Sequence, residues 1–345
     1  MNNNKSILSF LSRIWHGYSF VIVFFVICIV YALSSRGLTW NATMNILRHS
    51  AIIGIIALGM GMVCITAEID LSVGSMLALV SGMSVMVFNV TDSITLTFLF
   101  AILLGSFCGL INGVLVGIIK MPSFIVTLAT MLIFRSFAQW ICQNVDKQLI
   151  GGGSSVYRMI SKNEMYDTMY HFGNTKLCTL PIVGIVLVVF TILCVYLLDD
   201  TKYGKKVYAT GSSIKGAFMS GINTSLIKTS VFVITGALVG LASFLWISMN
   251  ASSDPATTGV SYEMYAIAAV VLGGISMAGG KGKCLGILFG ALSYTVIDKI
   301  IIALKMDSLI NDAVKGIILI IVILIQVAGP QIRERIHLMK LRSNK

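Results

Sequence analysis

Polar and apolar residues come in blocks along this chain. Apolar runs long enough for a membrane-crossing helix, about 20 residues, recur from one end to the other. They cover 18–34, 48–66, 72–90, 96–118, 122–141, 180–198, 229–250, 262–278, 284–303 and 310–329. The predicted fold class is all-α: a polytopic integral membrane protein with about ten transmembrane helices, forming one domain over 1–345. Three polar stretches interrupt or follow the runs. They are the long loop 142–178, the basic segment Asp199–Lys228 and the basic tail 330–345.

Basic residues set the orientation, because they accumulate on the cytoplasmic side of membrane proteins. With the N-terminus inside, inner segments hold fifteen Lys and Arg, outer segments hold seven, and three lie within spans. Both termini are therefore expected in the cytoplasm, with 199–228 inside and 142–178 outside. The first apolar run follows Lys5 and Arg13, as in a signal peptide. Spans continue to the C-terminus, so it is read as an uncleaved first helix.

Composition agrees. Of 345 residues, 57% are hydrophobic and 11% charged, against about 25% charged in soluble domains. The net charge of +11 sits in loops and tails without interleaved aromatics, which makes it a topology signal and excludes a nucleic-acid footprint. Seven cysteines form no CxxC pair and four histidines do not cluster near them, so no metal site is expected. Cys142 and Cys178 bracket the outer loop and leave a disulfide open.

Polar residues inside the apolar blocks are the candidates for function. The join TAEIDLSVGS (66–75) carries Glu68, Asp70 and Ser72. Ser72 is read as an N-cap of the next helix. For Asp70 two readings stand: a cap at a short cytoplasmic turn, or part of an irregular stretch dipping into the membrane, tolerated only where protein buries it or a cavity lies beside it. Asn112 is expected to hydrogen-bond between helices, with substrate contact as the alternative. Pro122 opens span five. Ser123, Thr127 and Thr130 follow it, expected to bond to carbonyls of their own helix. Arg135 lies deeper and is expected to snorkel to the outer end. Glu263, at the outer mouth of span eight, is either a charge favoured by the helix dipole or a group facing an incoming polar solute. Asp70 and Glu263 are both expected near membrane faces. Together Glu68, Asp70, Ser72, Asn112, Thr127, Arg135 and Glu263 are the candidate lining of a translocation pathway.

Glycines form two i, i+4 stripes: Gly105, Gly109, Gly113 and Gly117 in span four, and Gly282, Gly286 and Gly290 at span nine. Close helix packing is the expected use, a substrate groove the alternative. Segments near 48–58 and 109–115 resemble 228–238 and 286–292. The offsets of 180 and 177 predict an inverted repeat of spans two to five and seven to ten. No catalytic constellation and no G-x-x-x-x-G-K-[ST] loop occurs, so the chain has no ATP engine of its own.

The motifs IDLSVGS (69–75), GLINGVLVG (109–117), PSFIVTLAT (122–130), YGKKVYATGS (203–212), SGIN (220–223), YEMYAIAAVVLGG (262–274), GGKG (279–282) and Lys315-Gly316 resemble, in order, those of the permease subunits of ribose-type (carbohydrate uptake) ABC importers. That group includes xylose, arabinose, galactose and autoinducer-2 permeases. The resemblance implies a membrane dimer of permeases, a second copy or a paralogue. It also implies cytoplasmic ABC ATPase subunits that carry the ATP and magnesium, and an extracytoplasmic solute-binding protein. The chain itself would bind no cofactor. The segment similar to the coupling helix is Lys215–Ile222, with Gly211, Lys215, Gly216, Ala217, Ser220, Gly221 and Ile222 at the ATPase contact. Glu68 departs from the family, which commonly has glycine there. Tyr265 stands where an acid is frequent. The resemblance implies a plasma-membrane permease for a small polar solute, a monosaccharide first, a nucleoside or autoinducer-2 second. A stand-alone ion-coupled carrier is the alternative of another class.

Overall fold

The computed structural model describes residues 20–34, 39–153 and 155–304, together with 313, 314, 316, 317, 320 and 324. Among the described residues, the helices are α1 (Phe20–Ser34), α2 (Trp40–Ile65), α3 (Val73–Thr91), α4 (Ile94–Gly113, continued by a π-turn Val114–Ile118), α5 (Ser123–Asn144), α6 (Tyr166–Asn174), α7 (Ile182–Val195, continued by a π-turn Tyr196–Asp200), α8 (Lys202–Ser212), α9 (Ile214–Met219), α10 (Thr224–Asn250), α11 (Tyr262–Leu272) and α12 (Cys284–Ala303). Seven of these, counting the π-turns with α4 and α7, are long and apolar enough to cross a membrane; α1 and α11 are apolar but shorter. The chain is an all-α polytopic membrane protein. Most of the tenth expected span, 310–329, and the basic tail lie outside the described residues.

Local chemistry sets the helix starts. Thr39, Ser93, Thr201, Ser213 and Asn223 each accept a backbone N–H of the first turn of the helix they open, satisfying donors that have no partner within the helix. Pro122 and Pro181 open α5 and α7, where a missing N–H costs nothing.

The centre is α10 against α4. A Cβ on Gly105 or Gly109 would overlap the carbonyl oxygen of Gly236 or Phe232, and one on Gly113 would sit 2.7 Å from the Thr229 oxygen. Each glycine lowers helix propensity by about 1 kcal/mol relative to alanine. The return is backbone-to-backbone approach along α10, where dispersion rather than water drives association. On the second stripe, Gly286 and Gly290 place α12 against the carbonyls of Gly273 and Ala269 at the end of α11.

With 27 residues, α10 is about 40 Å long and defines two faces. Its start adjoins α9, and its end adjoins a short ribbon, β1 (Tyr157–Arg158) with β4 (Ser252–Ser253). The hairpin β2 (Lys176–Leu177) with β3 (Leu180–Pro181) lies in the same segment as β1. The 142–178 segment is packed down on α3. Asn89 Nδ2 donates to the carbonyls of Leu149 and Arg158, and the Asp92 carboxylate accepts the N–H groups of Glu164 and Met165. Cys142 is buried, Cys178 exposed, and both are free thiols.

Both long central helices are followed by irregular backbone. α2 runs from the ribbon face, where Arg48 donates to Asn174 of α6, to the α9 face, where the Ile65 carbonyl accepts Gly280 N–H. α10 runs the opposite way. The two senses are those an inverted repeat requires. The expected span 262–278 is corrected: α11 has 11 residues, about 16 Å, half of a hydrocarbon core about 30 Å thick. The rest of that crossing is coil. Residues 251–261 descend alongside α3, from the Ser81–Ser253 hydroxyl contact (2.7 Å) to Gly259 beside Gly74, which on α3 is about 10 Å of helix.

Candidate functional site

The join 66–72 is the first part of the site. Asp70 is fully buried within the protein. Its Oδ1 accepts from Ser72 N (2.9 Å) and from Ser72 Oγ (2.6 Å). Ser72 occupies the N-cap position of α3, but its hydroxyl caps no backbone N–H; the carboxylate has taken that hydroxyl, so the expected Ser72 cap is corrected. Asn112 of α4 donates from Nδ2 to Ser72 Oγ (2.8 Å). That leaves the buried Asp70 Oδ2 and Asn112 Oδ1 without hydrogen-bond partners.

Helix α5 flanks the same join. Ser123 Oγ accepts from Ile69 N (3.3 Å), and Thr127 Oγ1 reaches both its own Ser123 carbonyl (2.8 Å) and that of Ile69 (3.4 Å). Thr130 bonds within the helix, to Val126 O (3.1 Å). Glu68, at the α9-face end of the join, forms an ion pair with Lys228 of α10.

The coil 251–261 is the second part. Arg135 does not snorkel. Its Nη1 donates to the carbonyls of Pro255 (2.9 Å) and Thr258 (2.6 Å), so the guanidinium clamps the coil from α5. A turn of backbone supplied what the outer end of the helix was expected to supply. The carboxylates of Asp254 and Glu263 act on Arg135 electrostatically. Glu263 sits in the first turn of α11. The coil's tip, Gly259, lies against Gly74 in the first turn of α3, so the coil touches, backbone to backbone, the helix that follows the join.

The third part is the α9 face. Lys215, Gly216, Ser220 and Gly221 are exposed, Ala217 is buried beneath them, and Ile222 N–H closes the turn on the Ala217 carbonyl (3.0 Å). Gly211 stands apart from this group. A Cβ there would overlap the Ile65 carbonyl, so Gly211 seats α8 on the end of α2. Sequence reasoning missed Phe218 and Met219, which project from α9 at 70% and 78% exposure. The signal was two large apolar residues inside a polar loop. Lys228 was missed too, because its partner is 160 residues away. Tyr208 Oη donates to the Gly282 carbonyl (3.0 Å), and Tyr203 Oη meets Ser230 Oγ (2.9 Å). Burial pushes both phenols up from the ordinary tyrosine value, which keeps them as neutral hydroxyl ties between α8, α10 and the 279–283 turn. Among the described residues, no group of three His, Cys, Asp or Glu is placed to hold a metal.

Among the described residues these three parts are a buried hydrogen-bonded join, a coil clamped by Arg135 and a short helix with two exposed apolar side chains. Residues 42–323 match the family described as "Branched-chain amino acid transport system / permease component". The chain belongs to that permease family. Over 307 residues it is 34% identical to the Ribose import permease protein RbsC of Haemophilus influenzae, covering 89% of this chain and 91% of the relative. Over 311 residues it is 35% identical to RbsC of Bacillus subtilis, with the same two coverages. The Autoinducer 2 import system permease protein LsrC of Salmonella paratyphi B is 30% identical over 289 residues, 84% of this chain and 79% of the relative. No solved structure matches. In this permease the join, the coil and α9 lie within the matched residues.

Proposed function

We propose that this chain is the transmembrane subunit of an ATP-binding cassette importer that admits a small polar solute, a monosaccharide first. It works in a bacterial plasma membrane with both termini cytoplasmic. The observation that carries this reading is likeness to two ribose import permeases along nine-tenths of each chain. Hydrolysis of ATP belongs to cytoplasmic ATPase partners, which would hold the nucleotide and magnesium. A second permease copy or a paralogue and an extracytoplasmic binding protein complete the assembly. Lys215–Ile222, with the exposed Phe218 and Met219, would seat in the ATPase. Gly211 supports that segment from within.

Alternating access in this reading is motion of the two irregular stretches. The Asp70–Ser72–Asn112 cluster is closed off from solvent, so a solute passes only when the join or the coil moves. The coil meets the first turn of α3 glycine to glycine, Gly259 against Gly74. Arg135 holds the coil and the Asp70 cluster holds the join. Glu263 lies beside Gly74, at the inner end of the descending coil, where a polar solute that had entered along it would arrive.

Likeness to an autoinducer-2 permease over 84% of the chain supports a second reading in which that signal molecule is the cargo. One experiment separates these. The permease, its ATPase and its binding protein are purified together in proteoliposomes, and uptake of labelled D-ribose and of autoinducer-2 is measured with and without ATP. ATP-dependent uptake of either assigns the cargo. Uptake by the permease alone, driven by an ion gradient, would sink the importer reading and return the chain to secondary carriers.

A further inference from the structure

The Glu68–Lys228 ion pair lies where three elements converge. Lys228 is in the second turn of α10, and α9 is joined to α10 by a tight turn. Gly221 N–H donates to Phe218 O (2.9 Å), Ile222 N–H donates to Ala217 O (3.0 Å), and Asn223 Oδ1 accepts Leu226 N–H (3.1 Å) at the start of α10. That turn is short and bonded throughout, so displacement of α9 carries the first turns of α10 with it. Glu68 belongs to the join. Two residues on is Asp70; four beyond that is Gly74, the contact with the coil.

The join's other tertiary hydrogen bonds run elsewhere. Ile69 is bonded to Ser123 and Thr127 of α5, and Ser72 to Asn112 of α4. Toward α10, the polar link of the join among the described residues is the Glu68–Lys228 pair. Both side chains are largely removed from solvent, at 15% and 13% exposure, so salt screens the pair little and loss of one partner leaves the other charge stranded. Between α2 and α10 themselves, Gly59 lies against Thr235, whose hydroxyl donates to the Gly59 carbonyl (3.1 Å), a contact that fixes no charge to a charge. An ion pair differs from such a contact in that it can be rebuilt with the charges exchanged.

We propose that Glu68 and Lys228 are a transmission pair: the ion pair passes displacement of α9 to the join, and so to the Gly74–Gly259 contact. This rests on the importer reading above. Neither residue touches the solute or the nucleotide; both are positioning residues. A tie of this kind uncouples when cut. The ATPase continues to turn over while the join no longer follows it.

The test follows the join directly and needs no knowledge of the cargo. Ile69→Cys is introduced on a Cys178→Ser background, and the permease–ATPase complex is held in lipid nanodiscs. Labelling of position 69 by a maleimide is followed by mass spectrometry, without nucleotide and with ATP plus vanadate. In the parent, vanadate trapping is expected to change the labelling rate about fivefold, the scale of modest coupling between sites. E68Q and K228Q should abolish that response while the complex still hydrolyses ATP, and E68K with K228E should restore it. A nucleotide response retained in either single variant overturns the proposal, as does a parent that shows none. Should the single variants fail to fold, an exchanged pair that folds without the response reduces the contact to a structural tie and overturns it equally. If the parent chain assembles with no ATPase, the importer reading itself fails and takes the pair with it.

Discussion

Gly74 and Gly259 lie backbone against backbone, each so close that a Cβ on either would overlap the other's carbonyl oxygen. Gly74 opens α3 after the join; Gly259 is the tip of the coil that precedes α11, with φ +71. The coil and the first turn of α3 thus meet where side chains would keep them apart. G74A and G259A are each expected to destabilise the permease by about 1–3 kcal/mol, the cost of forcing volume into a packed site, with G259A also strained at positive φ. Thermal unfolding in detergent measures this. G316A, where a Cβ would meet nothing within 4 Å, is the control and should not lower stability.

The glycine stripe of α4 predicts a graded effect. A Cβ on Gly109 meets backbone that cannot rotate away, the Phe232 carbonyl. By contrast Gly54 faces the methyl groups of Leu187, at 2.7 and 3.0 Å, which can shift. G109A should therefore lower the unfolding temperature more than G54A, by a margin of about 1 kcal/mol or more. Equal losses would mean that α4 and α10 are free to move apart.

On the α9 face, Phe218 and Met219 touch little of their own chain. F218S with M219S should leave unfolding unchanged within about 0.5 kcal/mol. Binding of the ATPase should weaken about tenfold or more, as loss of a central apolar anchor does. Copurification and titration of ATPase against nanodisc-held permease read the effect. G211A should behave in the opposite way. It strikes Ile65 inside the chain, so it should lower stability first and ATPase binding only in consequence.

Much of this was legible in the residues. The class of protein, the position of most of its long apolar helices and the glycine stripe of α4 follow from apolar block length and from i, i+4 spacing, both local properties. The polar contacts were less so, for a physical reason. Arg135 is held by two backbone carbonyls more than a hundred residues away, and a carbonyl has no side-chain signature. Ser72 looked like a cap by position, but Asp70, two residues before it, competes for the same hydroxyl. Span eight looked continuous because the 11 residues of α11 are followed by further apolar and small residues up to Ala278. Composition cannot show where the backbone stops being helical.

Asp70 separates a brace from a charge. Its Oδ1 holds Ser72 N–H and Ser72 Oγ, and asparagine keeps an acceptor at that atom. D70N should keep most of the stability and about the parental rate of solute uptake. D70A strands Ser72 N–H and Oγ–H in a buried site, at about 1–3 kcal/mol for each unpaired group, and should lower both unfolding temperature and uptake. Uptake lost in D70N at unchanged stability would assign the carboxylate a role that its hydrogen bonds do not explain.

Arg135 offers the sharpest contrast between residue types. One nitrogen of the guanidinium serves two carbonyls, at 2.9 and 2.6 Å, in a half-buried setting. Methionine matches its length without a donor, leaving the Pro255 and Thr258 carbonyls unpaired at a cost of about 1–3 kcal/mol each, and leaving Asp254 and Glu263 without a compensating cation. Lysine keeps the charge and carries three donors on one nitrogen, but it is shorter and lacks the planar fork. R135K should therefore recover part of the stability that R135M loses, and should recover uptake only as far as the coil is returned to Gly74. If the clamp is the whole role of Arg135, uptake across R135M, R135K and the parent will rise in the same order as their unfolding temperatures. An R135K permease as stable as the parent yet unable to transport would show instead that the guanidinium acts on the solute itself.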